Sequence, residues 1–476
     1  MLYSSWTNPI MKESVFMYSS IHLENFKSFD NITFDFRKNK NEAKKMIAIY
    51  GENGSGKSNF VAAFAIIKQL LMNRPSRRNE VSQLTNLLTA IASSSFGVDS
   101  TTLEWLNEKY VKNMELSSFL RLCRMKDCVE PTVVELCFFI NNAEGRYTLK
   151  YDKQIISEEL YYLDNKRRTT LFSINKKDND ISFKIDKSIN STSYANEFKE
   201  LLSQYWGKYS FWGILLDEMI LKNSTYIQNN VKSSILNVAM YFMSTSVSSS
   251  ISNDIDIDSA FVELPILPNI EFGEIEKANE RYLNLYERML TSYLSQIYSD
   301  IVDVFYERKY NNNQVIYRLF VKKRIAGRVR EINIDQESTG TRKLVSQLKP
   351  LVNVVNGYVS VIDEVDSNIH DLLMKSLLES LEADIPENGQ IIFTTHNTLL
   401  LESLNPNDVY IINIDADGKK EVNCCNDFDC KRIQKTNNLR NLYLKGLFGG
   451  IPYTSGVDFS FVNHPIEESQ EVESNE

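Results

Sequence analysis

Cysteine is scarce in this sequence: six residues scattered through 476 are too few for a disulfide scaffold. Cys123, Cys128 and Cys137 stand apart, while Cys424, Cys425 and Cys430 lack the CxxC knuckle and fourth ligand of a zinc site. That trio reads as an ordinary strand end or turn. No apolar run approaches the length that spans a bilayer, and Met1-Leu-Tyr-Ser-Ser-Trp lacks a charged segment leading into an apolar core. These absences predict a cytoplasmic chain with reduced thiols and no membrane partner. Positive charge is also in deficit, with a net charge of −9 and a pI near 5.3. That balance disfavours a dedicated nucleic-acid binder and leaves room only for a local basic patch. Apolar residues are plentiful at 43%, with 25 Phe and 24 Tyr, so a large core is available and global disorder is excluded. The length fits a nucleotide-binding core with an insertion as well as two separate domains.

Gly51-Glu52-Asn53-Gly54-Ser55-Gly56-Lys57-Ser58 fills every fixed position of a phosphate-binding loop. Its glycines let successive N–H groups converge on phosphates, Lys57 offers an ammonium to the β- and γ-phosphates, and Ser58 a hydroxyl to Mg²⁺. The flanks agree. Met46-Ile-Ala-Ile-Tyr50 reads as a buried strand, and Asn59 to Met72, apolar at helical spacing, as a helix whose positive end faces the phosphates. The pattern predicts nucleoside triphosphate binding.

A second half-site follows far along the chain. Tyr358-Val-Ser-Val-Ile-Asp363-Glu364 is an apolar strand ending in two carboxylates, which suits Asp363 to hold Mg²⁺ and Glu364 to polarise a water. Upstream, Glu337-Ser338-Thr-Gly340-Thr341 precedes a helix expected near Thr341, placed to present a hydroxyl and N–H groups to an anion or simply to cap the helix. Downstream, Gln390-Ile-Ile-Phe-Thr-Thr-His396-Asn397 is another apolar strand, ending in a histidine able to reach a γ-phosphate.

Around these motifs, residues 18–36 read as two antiparallel strands about a turn at Asp30-Asn31, and residues 132–163 as further strands with a turn at 141–145. Residues 73–130 read as a connector or lid. Asn196 to Leu221 and Glu274 to Tyr306 read as long amphipathic segments separated by the Ser-rich stretch 244–252. A hairpin from Asn313 to Ile334 carries Lys322, Lys323, Arg324, Arg328 and Arg330 near its tip, either a solvated charge run or a contact for nucleic acid or an acidic partner.

The chain resembles the ATP-binding-cassette ATPase heads of the SMC and RecF group, and within it the AAA-labelled ATPases of bacterial abortive-infection loci, such as RloA and AbiL. The resemblance rests on Ile21-His-Leu-Glu-Asn-Phe-Lys-Ser-Phe29, the phosphate loop, Glu130-Pro-Thr-Val-Val-Glu135, Glu337 to Thr341, Asp363-Glu-Val-Asp-Ser-Asn-Ile-His370, Thr394-Thr-His-Asn397 and residues 438–452. It implies an α/β fold, a mixed phosphate-loop sheet with an antiparallel β layer and a helical insertion. Its divisions would be 15–185 for the first half of the head, 186–305 for the helical insertion, 306–462 for the second half and 463–476 for an acidic disordered tail. The resemblance further implies ATP and Mg²⁺ as cofactors, with Gly51 to Asn59 around the nucleotide and Lys57, Glu364 and His396 at the chemistry. Ser338, Gly340 and Thr341 would be contributed by a second protomer, with ATP sandwiched in a homo-oligomer, Asp366 to His370 as the loop between sites and His396 as the switch histidine. The turn, Ser-Thr-Gly-Thr, departs from the transporter-like Ser-Gly-Gly-Gln, and no long coiled coil is present. The implied function is an ATP-hydrolysing switch in anti-phage defence, triggered by a phage protein or nucleic acid and controlling a separately encoded Toprim-type nuclease. A RecF-like DNA-clamping ATPase and a slowly turning-over scaffold are the alternatives.

Overall fold

The computed structural model describes residues 15–76, 116–164, 167–178, 180–185, 187–249, 267, 269–428 and 439–451. The expected acidic tail, most of the 73–130 connector, and Cys430 lie outside the described residues. In chain order the strands are β1 (Phe16–Phe26), β2 (Phe29–Asp35), β3 (Arg37–Asn39), β4 (Glu42–Ala43) and β5 (Met46–Gly51). After α1 (Lys57–Met72) and α2 (Leu116–Cys123) come β6 (Thr132–Ile140), β7 (Ala143–Tyr151), β8 (Ile155–Asp164), β9 (Arg167–Lys177) and β10 (Asp180–Lys184). Four helices follow, α3 (Thr192–Tyr205), α4 (Phe211–Leu221), α5 (Ser224–Asn230) and α6 (Ser233–Ser244), then β11 (Ser246–Ser248), β12 (Phe272–Glu276) and α7 (Arg281–Ile297). The chain continues through β13 (Ile301–Asn311), β14 (Gln314–Ile325), β15 (Arg328–Asn333), α8 (Thr339–Val355), β16 (Val359–Ile362) and α9 (Asp371–Asp384). It closes with β17 (Gln390–Thr394), β18 (Val409–Ile414), β19 (Lys420–Cys424) and α10 (Leu439–Leu444).

The central sheet runs β11-β16-β17-β5-β18-β19, parallel throughout except for the antiparallel edge strand β19. β5, β16 and β17 are buried along their whole length, as strands covered on both faces must be. Successive side chains alternate between faces. Ile47 and Ile49 therefore enter the core shared with α1 and the seven-stranded antiparallel sheet, while Met46, Ala48 and Tyr50 enter the core under α7, α8 and α9. The antiparallel sheet has the order β10-β9-β8-β7-β6-β1-β2, and a smaller one sets β14 against β13 on one side and β12 and β15 on the other. Gln390, buried at the start of β17, ties two layers together: its Oε1 accepts from the Tyr18 N–H at 2.9 Å and its Nε2 donates to the Tyr18 carbonyl at 2.9 Å.

Several expectations need correction. The β1–β2 turn falls at Lys27-Ser28, and Asp30 and Asn31 belong to β2. The β6–β7 turn is confined to Asn141 and Asn142, both at positive φ, so Gly145 lies inside β7. Asn196 to Leu221 is broken between α3 and α4, and Glu274 to Tyr306 is strand, helix and strand rather than one helical segment. The Ser-rich separator contributes β11 to the central sheet, so residues 186–305 are not wholly helical. Helix α8 begins at Thr339 with Ser338 as its cap, earlier than Thr341.

Candidate functional site

In a parallel sheet, neighbouring strands deliver their C-terminal ends to the same edge, where ligands gather in α/β folds. Here β5 ends in the phosphate loop, β16 in Asp363 and Glu364, and β17 in the turn to His396. Because β17 lies between β5 and β16, those three endings are brought side by side.

The loop is shaped by what its glycines leave out. A Cβ on Gly51 would stand 2.5 Å from Ser55 Oγ and 2.9 Å from the Ile412 carbonyl, and one on Gly56 would stand 2.7 Å from the Phe29 ring. Gly56, at φ 107, opens α1, whose first turn carries no acidic residue to oppose an anion. Lys57 is buried, and its Nζ donates to the carbonyls of Gly51 at 2.8 Å and Glu52 at 3.0 Å. Burial lowers its pKa to about 8, against the pull of Asp363, Glu364, Asp366 and Glu52. Its charge is therefore incompletely compensated by the protein, a condition that a bound phosphate relieves.

Asp363 is 4% exposed. Its Oδ1 accepts from Thr394 Oγ1 at 2.6 Å, while its Oδ2 is buried without a hydrogen-bond partner among the described residues. Glu364 is exposed, sits at φ 46, and donates its N–H to Thr394 Oγ1 at 2.8 Å. A non-glycine residue there is strained, as at sites where geometry is imposed by function. His396 lies on the exposed rim, where desolvation first and Lys57 second lower its pKa against Asp366, Glu364 and Asp363, leaving the ring neutral at pH 7. Asn397 donates to Asp371 Oδ1 at 3.0 Å, and its carbonyl accepts from the Tyr50 hydroxyl at 3.0 Å.

Ser338 Oγ caps α8 by accepting from the Thr341 N–H at 3.1 Å and pairs with Thr341 Oγ1 at 2.9 Å. Gly340 abuts the Asn368 carbonyl, which a Cβ would approach to 2.7 Å. Lys343, one turn on, has its pKa lowered by burial despite the fields of Glu364, Asp363 and Asp366. Lys57, Asp363, Glu364 and His396 thus share one electrostatic neighbourhood, whereas Gly340 packs on the loop between Asp366 and His370.

Lys420 escaped the sequence reading, and the contacts of Ser28, Asn59 and Thr394 were not legible in it. Lys420 of β19 donates to the Gly54 carbonyl at 3.0 Å and to Ser28 Oγ at 2.6 Å, and Asn59 Nδ2 donates to the same hydroxyl at 2.6 Å. No local pattern marks Lys420, because only the β18–β19 pairing carries it to the loop. Thr394 stands inside the Thr-Thr-His-Asn motif, but its hydroxyl's two hydrogen bonds, to the Asp363 carboxylate and from the Glu364 N–H, are invisible without β17 beside β16. The basic hairpin is partly neutralised: Lys322 pairs with Asp303 at 3.1 Å and Lys323 with Glu337 at 3.2 Å, while Arg324, Arg328 and Arg330 are exposed. A separate cavity of roughly 780 Å³ opens at the other end of β5, lined by Lys44, Lys45, Glu387 and Asp408 among others, and takes no part in this site.

Among the described residues no group of three His, Cys, Asp or Glu side chains could hold a metal alone. Magnesium requires less, since it is bound through one or two carboxylates together with substrate phosphates. The unpartnered Asp363 Oδ2 and the half-buried Ser58 at the start of α1 fit that requirement. No helix among the described residues is long and apolar enough to cross a membrane.

Residues 17–401 match the family described as AAA ATPase domain. Over 73 residues, 15% of this chain, the sequence is 36% identical to the Retron Vc95 probable ATPase of Vibrio cholerae serotype O1 biovar El Tor, and it spans 14% of that protein's length. Similar solved structures include the SMC head domain from Thermotoga maritima, at 15% identity and a TM-score of 0.34, covering 86% of this chain and 98% of that one. An SMC head bound to the C-terminal winged-helix domain of ScpA is 13% identical with a TM-score of 0.38, covering 85% and 96%. The recombination mediator RecF is 13% identical with a TM-score of 0.35, covering 86% and 98%.

Proposed function

The chain belongs to the AAA ATPase domain family, and on that premise we propose that it is an ATP-hydrolysing switch of a prokaryotic anti-phage system, acting through a separately encoded effector. The observation that carries the ATPase half of this reading is the convergence of Lys57, Asp363, Glu364 and His396 at adjoining strand ends. The loop from Gly51 to Asn59 surrounds the phosphates, and Lys57 exchanges its carbonyl partners for phosphate oxygens. Ser58 and Asp363 hold Mg²⁺, which when bound neutralises phosphate charge during transfer. Glu364 accepts a proton from the attacking water, and neutral His396 hydrogen-bonds the γ-phosphate edge. Ser338, Gly340 and Thr341 of one protomer close the site of another in a homo-oligomer. The defence role is supported by the short likeness to a retron ATPase, and the effector is taken as a nuclease of the Toprim type.

Glu364→Gln tests the chemistry, because a carboxamide keeps the shape and cannot accept the proton. It should bind ATP normally and lower kcat by on the order of 10²–10⁴; wild-type turnover would remove Glu364 from this role. The effector is tested by purifying the chain with the product of its neighbouring gene, and a neighbour that neither binds nor changes nuclease activity on ATP addition would sink that half alone.

A further inference from the structure

We propose that Thr394 is a positioning residue for both carboxylates, one hydroxyl fixing the magnesium-binding Asp363 and the water-polarising Glu364 together. This rests on the roles given to those two residues above. A threonine hydroxyl has a single proton and two lone pairs. Here the proton goes to Asp363 Oδ1 at 2.6 Å, and a lone pair receives the Glu364 N–H at 2.8 Å. The Thr394 carbonyl accepts from the Val365 N–H at 3.0 Å, so three consecutive residues after β16 hang from this one residue of β17. Thr394 is fully buried and β-branched, which holds its hydroxyl in a fixed rotamer.

Two consequences follow. With Oδ1 engaged, the Asp363 carboxylate cannot rotate freely, and Oδ2 is the oxygen left without a partner. With its amide engaged, Glu364 is held at φ 46, a conformation that its own side chain does not favour and that sets the direction of its carboxylate. Thr394 can do both because it pairs with Ile49 of β5 on one side while Phe393 pairs with Ile362 of β16 on the other, placing its side chain at the junction of the strand ends.

The test is a Mg²⁺ titration of binding by a fluorescent ATP analogue, read beside steady-state kcat, on the full chain carrying Thr394→Val or Thr394→Ser. Outer ligands of metal sites change metal affinity by about 10–100-fold when removed. Thr394→Val should therefore raise the Mg²⁺ half-saturation by about tenfold or more and lower kcat, while nucleotide binding without Mg²⁺ stays unchanged. Thr394→Ser should restore both. A wild-type half-saturation in the valine variant, or a serine variant as impaired as the valine one, overturns the proposal, because methyl packing rather than the hydroxyl would then matter. If the valine variant does not fold, Thr394→Cys replaces it and must fall between serine and the Asp363→Asn variant; no gradation overturns the proposal equally. Asp363→Asn separates the two levels: if it keeps the wild-type Mg²⁺ response, the metal reading fails and the positioning role with it, whereas a lost response in Asp363→Asn with none in Thr394→Val sinks the positioning role alone.

Discussion

At Lys57 the proposed phosphate binding and the stability of the fold make opposing demands. The ammonium is buried, and its pKa falls to about 8 because desolvation outweighs the nearby carboxylates. A cation with a depressed folded pKa weakens the fold below that pKa, and the penalty fades as pH rises from about 8 to the unfolded value of 10.5. Lys57→Met is therefore expected to abolish ATP binding yet raise nucleotide-free stability at pH 7 by about 1–2 kcal/mol, after loss of the two carbonyl bonds. Denaturant unfolding at pH 7 and pH 10 and equilibrium ATP binding check the two parts, and a destabilised variant with normal ATP affinity would contradict them. Lys57, Asp363, Glu364 and His396 were legible from sequence because each closes or follows an apolar strand. Lys420 and Ser28 were not, since their closeness to Gly54 arises from strand pairing between distant segments.

Among the elements, α8 shows how one glycine governs a junction. Gly340 faces the Asn368 carbonyl so closely that a Cβ would lie 2.7 Å from it. Since the obstacle is backbone, Gly340→Ala must displace the loop from Asp366 to His370 or tilt α8, at a cost of about 1–3 kcal/mol that exceeds any gain in helix propensity. Hydrolysis should fall sharply with ATP affinity nearly unchanged, measured by turnover and equilibrium binding; full activity would show that the loop can yield. The misread elements have physical causes too. Ile297, Ile301 and Val304 recur at helical spacing, yet Tyr298 ends α7 and the latter two lie in β13, where Ile301, Val304 and Tyr306 face inward with a bulge near its start. Ser246 to Ser248 carry little apolar signal. They form a strand because the edge of β16 offers backbone partners, and the Asp363 N–H donates to the Ser248 carbonyl at 2.7 Å.

Across the whole molecule, buried Glu158 couples the antiparallel layer to the helices that brace α1. Its carboxylate accepts from Tyr147 Oη at 2.9 Å, Trp206 Nε1 at 2.9 Å and the Phe211 N–H at 2.8 Å. Beyond Phe211, Ser210 Oγ donates to the Leu70 carbonyl at the end of α1 at 2.9 Å, and α4 packs there through Gly213. Desolvation raises the Glu158 pKa from 4.5 to about 7 despite those donors. Between these values the folded state keeps a proton that the unfolded chain releases, so this contribution is complete below pH 4.5 and lost as pH rises to about 7. Its size is on the order of 3 kcal/mol. Glu158→Gln should flatten that part of the urea midpoint's pH profile, and an unchanged slope would place the titration elsewhere. The proposed sharing of the site between protomers is tested at the same scale by Ser338→Arg, expected to bind ATP without hydrolysing it. Mixed with Glu364→Gln, it should recover partial turnover, since one composite site of a mixed dimer carries both lesions and the other neither. Proven mixed oligomers without recovery would count against sites shared in this way.

The phosphate loop, the strand and helix around it, and the carboxylate and histidine strand ends were determined by the sequence alone, because each is a local pattern in which residue type and spacing carry the physics. Tertiary structure decided what lies beside what. Strand β17 inserts between β5 and β16, setting Thr394 against two carboxylate-bearing positions, and β19 brings Lys420 to the loop. Such pairings join segments far apart in the chain, and their register is set by burial across the sheet, which no single segment records.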